Sequence, residues 1–167
     1  STGTNHIDLN YCSKNNILIT SLKNDFELIN KLPSTSELAF CLLQSLNRKI
    51  TLCNDQVLSD GIWDYRNVMG NQLAGQTIGC LGYGRLGKIF CKHLEGFDVN
   101  IKVCDINKQV YIPKSYERVN IDELFSSCNS VAIHIHSNPA NLNIINEKLL
   151  SKTQKGFILV NTSRGDI

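Results

Sequence analysis

A glycine-rich segment at residues 82–87 constrains the fold of this chain more than any other feature. It reads G-Y-G-R-L-G, follows the apolar run 77–81 and opens a stretch with helical spacing of apolar residues. In a strand–turn–helix unit, the first glycine permits a tight turn, the second lets the backbone approach a pyrophosphate, and the third lets the helix pack closely on the strand. The positive end of the helix dipole also favours phosphate. The pattern therefore predicts a dinucleotide site with contacts from Gly82, Gly84, Arg85, Leu86 and Gly87.

Asp105 indicates which dinucleotide the site prefers. It ends the next predicted strand, at about the 20-residue separation from the first glycine that such sites show. A carboxylate there accepts hydrogen bonds from the adenosine ribose and repels a 2′-phosphate, so we expect NAD in preference to NADP. Lys108 is a nearby cation, which we interpret as a solvated surface lysine.

Strands alternate with helices from residue 77 onward. The predicted strands are 77–81, 99–104, 131–135 and 157–160, and the predicted helices are 86–94, 120–125 and 146–150. Alternation at this interval is typical of parallel βαβ units with helices on both faces. We therefore predict an α/β fold with a doubly wound, Rossmann-type parallel sheet. Its ligand crevice should lie where the strands ending at Leu81 and Ile135 meet, because the strand order reverses there.

The first seventy residues follow a different pattern. Residues 17–20, I-L-I-T, predict a short strand. A capping box formed by Ser34 and Glu37 precedes apolar residues at helical spacing, which predicts a long amphipathic helix to about Lys49. Residues 54–72 are mostly polar and are interpreted as a connector.

Composition excludes several classes of protein. A net charge of +2 is too small to indicate a nucleic-acid or membrane surface, and polar residues interrupt every apolar run before it reaches the length of a membrane span. The 7 cysteines are irregularly spaced, without a C-x-x-C pair, which predicts free thiols in a reducing compartment and no metal site. We therefore expect a cytoplasmic protein.

Several segments beyond the glycine motif resemble the D-isomer-specific 2-hydroxyacid dehydrogenases. Residues 1–8, S-T-G-T-N-H-I-D, are similar to the family's substrate loop, and residues 73–79, L-A-G-Q-T-I-G, are similar to the entry to its glycine motif. Residues 61–63, G-I-W, match a G-x-W element, and residues 161–165, N-T-S-R-G, resemble the N-x-[AS]-R-G signature. The resemblance covers nearly the whole chain and implies an NAD-dependent oxidoreductase that acts on a 2-hydroxy or 2-oxo acid.

The resemblance also implies roles for the matching residues. Arg164 corresponds to the catalytic arginine that holds the substrate carboxylate and carbonyl, a task suited to a planar guanidinium fork. The other implied contacts are with the cofactor for Thr2, His134, Thr162 and Ser163, and with the substrate for Gly3, Thr4 and Asn5.

Two histidines invite assignment as the acid/base. His134 and His136 alternate with isoleucines, so a strand through both places their imidazoles on one face. The family pattern H-x-P makes His134 a structural histidine beside the cofactor and puts His136 in place of the usual proline. In the family, the acid/base histidine and its glutamate partner follow the arginine, beyond residue 167. His6 and His93 are interpreted as surface or packing residues.

The resemblance further implies a domain arrangement. Residues 1–33 would end a flavodoxin-like substrate domain, 34–72 would form an interdomain helix and connector, and 73–167 an incomplete NAD-binding domain. We expect a chain truncated at both ends that has no dehydrogenase activity alone. In the family the interdomain helix contributes to a dimer interface, so we expect a homodimer through an exposed stripe of Leu42, Leu43 and Leu46.

Other functions remain open at this point. The family includes corepressors, so an NAD-sensing binding protein on the same fold is the alternative to an enzyme. A short-chain reductase is disfavoured because no tyrosine is followed four residues later by lysine. A flavin-binding domain would leave residues 161–165 unexplained.

Overall fold

The computed structural model describes residues 3–4 and 6–167, which divide into two compact units, 1–33 and 34–167. The first unit contains two short helices, α1 (Leu9–Lys14) and α2 (Phe26–Ile29). Asp8 and Asp25 cap them by accepting from backbone N–H groups of the first turn. The strand predicted at 17–20 is wrong: these residues are irregular, and among the described residues of this unit no strand lies beside them to pair.

The second unit is built on a five-stranded parallel sheet. Its strands are β1 (Thr77–Leu81), β2 (Asn100–Cys104), β3 (Glu117–Arg118), β4 (Ser130–Ile133) and β5 (Ile158–Asn161). They lie in the order β3-β2-β1-β4-β5, and every neighbouring pair is parallel. The chain moves outward from β1 to β3 and then returns to the other side of β1, so the order reverses between β1 and β4, as predicted. Leu81 pairs with Ile133 at the carboxyl ends of these two strands.

Helices cover both faces of this sheet, which confirms the predicted doubly wound fold. The helices that follow β1, β3 and β4 are α5 (Arg85–Leu94), α6 (Ile121–Ser127) and α7 (Glu147–Leu150). Alternate residues of β1 enter different cores: Ile78 and Cys80 pack with Phe90 of α5, whereas Leu81 packs with Phe125 of α6. This alternation is the period-2 geometry of a strand buried on both faces.

Two helices precede the sheet. α3 (Ser34–Asn47) packs on the same face as α5, and α4 (Ile50–Asp60) follows a break at Lys49, which has φ 53°. The connector predicted at 54–72 is therefore wrong for residues 54–60. The predicted exposed stripe on α3 is also wrong at Leu43, which is fully buried in the core while Leu42 and Leu46 are exposed.

The remaining differences are small. β4 ends at Ile133 and not at Ile135, and the two-residue edge strand β3 has no apolar pattern that could reveal it in the sequence. All seven cysteines are free. No helix among the described residues is long and apolar enough to cross a membrane.

Candidate functional site

The three glycines of the motif are required for three different reasons. Gly82 has φ +94°, and a Cβ atom there would lie 2.8 Å from the Cγ2 atom of Ile135. A Cβ atom on Gly87 would overlap the carbonyl oxygen of Gly82, so this glycine lets α5 pack against the turn. The fold itself therefore requires glycine at both positions, whether or not a ligand binds.

Gly84 has no such internal reason. Its φ of −76° is ordinary, and a Cβ atom built on it meets nothing within 4 Å. It also caps α5 without a side-chain hydrogen bond, whereas Asn120 and Asn146 cap α6 and α7 with their side chains. The first N–H groups of a helix have no acceptor within it. An exposed glycine at this point leaves room for an anionic ligand to reach those groups, which fits a dinucleotide pyrophosphate.

Asp105 connects the end of β2 to the glycine turn. Its Oδ2 atom accepts from the Tyr83 N–H at 2.6 Å, and its Oδ1 atom accepts from the Asn107 N–H at 2.8 Å. The Gly82 N–H donates to the Cys104 carbonyl at 2.8 Å. These bonds orient the carboxylate beside the turn, where its remaining lone pairs suit ribose hydroxyls.

Two half-buried side chains that follow β4 and β5 carry buried polar atoms without a hydrogen-bond partner in the described part of the chain. They are the imidazole of His134, both of whose nitrogens are orphaned, and the hydroxyl of Thr162. The His134 ring packs on Phe90 at 5.0 Å, and burial lowers its pKa to about 4. Buried polar groups normally have partners. These orphaned groups at neighbouring strand ends fit a polar ligand such as the nicotinamide end of the cofactor.

Arg164 lies in a tight turn after β5. Asn161 braces this turn: its Oδ1 atom accepts from the Ser163 N–H at 2.9 Å, and its Nδ2 donates to the Arg164 carbonyl at 2.8 Å. The Ser163 hydroxyl donates to the Ile133 carbonyl at 3.2 Å, which joins the turn to the end of β4. The Arg164 side chain is exposed, and its Nη1 donates to the Ser163 carbonyl at 2.9 Å.

The fold thus gathers most of the predicted site residues of the second unit around the ends of β1, β2, β4 and β5. His136 differs from expectation: because β4 ends at Ile133, strand alternation does not extend to it, and it is exposed whereas His134 is half-buried. Gly3 and Thr4 belong to the first unit, and Thr2 and Asn5 lie outside the described residues. Their roles stay predictions.

Sequence reasoning missed two supporting residues. Asn161 is the first residue of the motif at 161–165, but sequence reasoning assigned it no role, whereas in the structure its side chain stabilises the Arg164 turn. Ser36 of α3 is fully buried and donates to the Leu86 carbonyl at 2.8 Å, which attaches α3 to the first turn of α5. No short-range pattern marks Ser36, since its partner lies fifty residues away in sequence.

Three of the cysteine thiols have raised pKa values. A hydrogen bond with Cys91, together with burial, raises the pKa of Cys80 well above its usual value. Burial raises the pKa of Cys104 and raises that of Cys128 to about 11. These side chains are therefore protonated at neutral pH, which agrees with small apolar packing residues.

Comparison with known proteins gives a consistent result. Residues 40–167 match the family model described as "D-isomer specific 2-hydroxyacid dehydrogenase, NAD binding domain". A D-lactate dehydrogenase from Curvularia clavata is 30% identical over 166 residues, which is 99% of this chain and 46% of that protein.

Solved structures agree with this match. An NAD-dependent formate dehydrogenase from Staphylococcus aureus, in complex with NAD, has a TM-score of 0.83 and 31% identity, covering 98% of this chain and 48% of that one. A D-lactate dehydrogenase from Aquifex aeolicus, complexed with NAD and lactic acid, has a TM-score of 0.82 and 26% identity, covering 99% and 49%. This chain therefore spans about half the length of these relatives.

Proposed function

Because the chain belongs to the D-isomer specific 2-hydroxyacid dehydrogenase family and includes its NAD-binding domain, we propose that the protein containing these residues is an NAD-dependent oxidoreductase. It would transfer a hydride between nicotinamide and C2 of a 2-hydroxy or 2-oxo acid. The observation that carries this proposal is the convergence of the glycine turn, Asp105, the orphaned His134 and the Arg164 turn at the carboxyl ends of adjacent strands.

Each residue has a distinct task in this reaction. The N-terminus of α5 and Gly84 would bind the pyrophosphate, and Asp105 would accept from the adenosine ribose. Arg164 would bind the substrate carboxylate in a bidentate manner and polarise the neighbouring carbonyl, which orients C2 for reduction. The hydride chemistry itself is supplied by the bound NAD(H).

The proton requires another group. Burial lowers the pKa of His134 to about 4, so the imidazolium form that would act as the general acid is scarce at pH 7. We therefore assign His134 to cofactor contact, and the family resemblance supports an acid/base histidine that follows Arg164 in sequence. The 167 residues alone should then show no turnover, since positioned acid/base catalysis typically contributes ~10²–10⁴-fold.

The direct test measures NADH oxidation with pyruvate, glyoxylate and hydroxypyruvate, comparing the longest natural protein that contains these residues with the 167-residue chain. We expect turnover only in the former and NADH binding in both. NADH binding without turnover in the longer protein would instead support a cofactor-sensing protein. Comparable turnover in the 167-residue chain would assign the acid/base to His134 or His136.

We also propose that the protein is a homodimer through the exposed apolar surface of α3 and α4. These two helices expose the apolar side chains of Leu38, Leu42, Leu46, Leu52, Val57 and Leu58, each at least 38% exposed. A surface of this kind favours association. Leu46→Glu should convert the dimer to a monomer in sedimentation equilibrium, while Leu142→Glu, at an exposed residue on another surface, should not. A Leu46→Glu protein that remains dimeric would exclude this interface.

A reducing compartment fits the same protein. Since all seven cysteines are free, we propose a cytoplasmic location. Fluorescence microscopy of the tagged protein tests it, and a vesicular or extracellular signal would contradict it.

A further inference from the structure

An acidic side chain lies two residues after the arginine that would bind the substrate. Asp166 and Arg164 are both exposed, but no ion pair joins Arg164 to a carboxylate in the described part of the chain. A carboxylate so near in sequence is a potential competitor for the guanidinium, because the substrate also binds through a carboxylate. Some other contact must therefore hold the Asp166 carboxylate away from the Arg164 guanidinium.

Asp166 is held by a hydrogen bond from Ser137, a residue of the segment after β4. The Ser137 hydroxyl donates to Asp166 Oδ2 at 2.7 Å, across twenty-nine residues of sequence. Ser137 lies in the segment that leaves β4, three residues after His134. Bonds from a hydroxyl to a carboxylate are charge-assisted and strong for their class. Ser137 thus binds the carboxylate that could otherwise pair with Arg164.

Backbone hydrogen bonds also connect the segment that contains Ser137 to the residues around Asp166. The Asn143 N–H donates to the Asp166 carbonyl at 3.0 Å, and the Ile145 N–H donates to the Ile167 carbonyl at 3.0 Å. Ile167 is buried in the core beneath α6 and α7. Hydrogen bonds therefore join the segment after β4 to the segment after Arg164. The side-chain bond among them is the one between Ser137 and Asp166, which lies two residues from Arg164.

We propose that Ser137 is a positioning residue that holds the Asp166 carboxylate off Arg164 and so keeps the guanidinium open for the carboxylate of the substrate. This inference rests on the proposed function, because it assigns Arg164 to substrate binding. It predicts that the harm caused by removing the Ser137 hydroxyl comes from the freed charge of Asp166. Removing that charge should then repair the damage.

The test compares four variants in the active, NADH-binding protein. Ser137→Ala should raise KM for the preferred 2-oxo acid about fivefold, the factor that an exposed ion pair of up to ~1 kcal/mol produces. Ser137→Ala combined with Asp166→Asn should return KM to within about twofold of the unaltered protein. Ser137→Thr keeps the hydroxyl, and Asp166→Asn keeps an acceptor for Ser137, so each should leave KM nearly unchanged.

Two measurements without turnover accompany the kinetics. Oxamate is an unreactive analogue of a 2-oxo acid, and calorimetry of the NADH complex measures its affinity. This affinity should fall in Ser137→Ala and recover when Asp166→Asn is added. The Kd for NADH should stay constant across all four variants, and any fall in the thermal unfolding midpoint should be equal in Ser137→Ala and in the double variant, because both lack the Ser137 hydroxyl. A loss of packing would lower the unfolding midpoint and would not be repaired by Asp166→Asn.

Failure of this inference differs from failure of the proposed function. If the unaltered protein reduces 2-oxo acids but Ser137→Ala leaves KM and oxamate affinity unchanged, or Asp166→Asn does not restore them, the inference is wrong. An unaltered protein that binds neither NADH nor oxamate would overturn both the inference and the proposed function.

Discussion

The glycine turn after β1 and the Arg164 turn after β5 both lie at the carboxyl edge of the parallel sheet but are held by different forces. Steric limits on the backbone fix the glycine turn, since a Cβ atom on Gly82 or Gly87 would meet other atoms of the chain. Side-chain hydrogen bonds made by Asn161 and Ser163, together with the bond that Asp166 accepts from the Ser137 hydroxyl, fix the Arg164 turn. Gly82 and Gly87 should therefore tolerate no added side-chain atom, whereas the Arg164 turn should respond in graded steps to the loss of single hydrogen bonds.

The largest effect is expected from Gly87→Ala. The added methyl group would overlap the Gly82 carbonyl, and a backbone atom cannot move aside cheaply. We expect a loss of about 3 kcal/mol or more in the free energy of unfolding, at or above the upper end for overpacked cores. Urea denaturation followed by circular dichroism measures it.

Gly84→Ala is the matched control for that substitution. Because nothing lies within 4 Å of its added Cβ atom, the free energy of unfolding should change by less than about 0.5 kcal/mol. NADH affinity should nevertheless fall at least about tenfold, since the methyl group occupies the approach to the helix N-terminus. Unchanged NADH affinity would mean that the ligand does not approach at Gly84.

A second large effect concerns pH and His134. Burial lowers the pKa of the imidazole from 6.5 to about 4, so the unfolded chain binds the proton more tightly. Stability is therefore lost as pH falls from about 6.5 toward 4, by roughly 3 kcal/mol at the acid end.

His134→Phe should remove this part of the acid sensitivity. Free energies of unfolding at pH 4.5 and pH 7 would be compared with those of His6→Gln, which alters an exposed histidine. Equal pH dependence in the His134→Phe and unaltered proteins would show that this imidazole is not buried as described.

The third effect concerns NAD affinity and Asp105, the residue proposed to bind the adenosine ribose. Asp105→Ala should weaken NAD binding about 10- to 100-fold, as expected for lost hydrogen bonds to a charged group, and should narrow the preference for NAD over NADP. Asp105→Asn separates charge from geometry, because it retains an acceptor for the Tyr83 N–H. Calorimetric titration with both cofactors checks this, and unchanged discrimination in both variants would remove Asp105 from cofactor recognition.

The smallest effect is expected at the Arg164 turn. Asn161→Ala deletes two hydrogen bonds, each worth about 1 kcal/mol net, and loosens the turn without adding atoms. KM for the 2-oxo acid should rise up to about tenfold while the Kd for NADH stays the same. A parallel loss of NADH affinity would show that the two regions are mechanically coupled.

The same contrast explains what the sequence could predict. The strand β1, the helix starts at Asn120 and Asn146, and the glycine turn depend on neighbours within a few residues, and their predicted positions agree with the structure. The Ser137–Asp166 and Ser36–Leu86 bonds join distant segments and leave no local pattern. Helix α4 was missed because polar residues interrupt its apolar spacing, and Leu43 was misplaced because the side of α3 that packs on α5 is set by the tertiary fold.

We infer that the cofactor binds across the point where the strand order reverses, between β1 and β4. A crystal structure of the protein with NADH tests it most directly. We expect the pyrophosphate beside Gly84 at the N-terminus of α5, the adenosine ribose on Asp105, and the nicotinamide end near His134 and Thr162. NADH bound elsewhere, for example in the cavity of about 660 Å³ lined by Gln44, Arg48 and Asp98, would show that the cofactor does not bind at this point of the sheet.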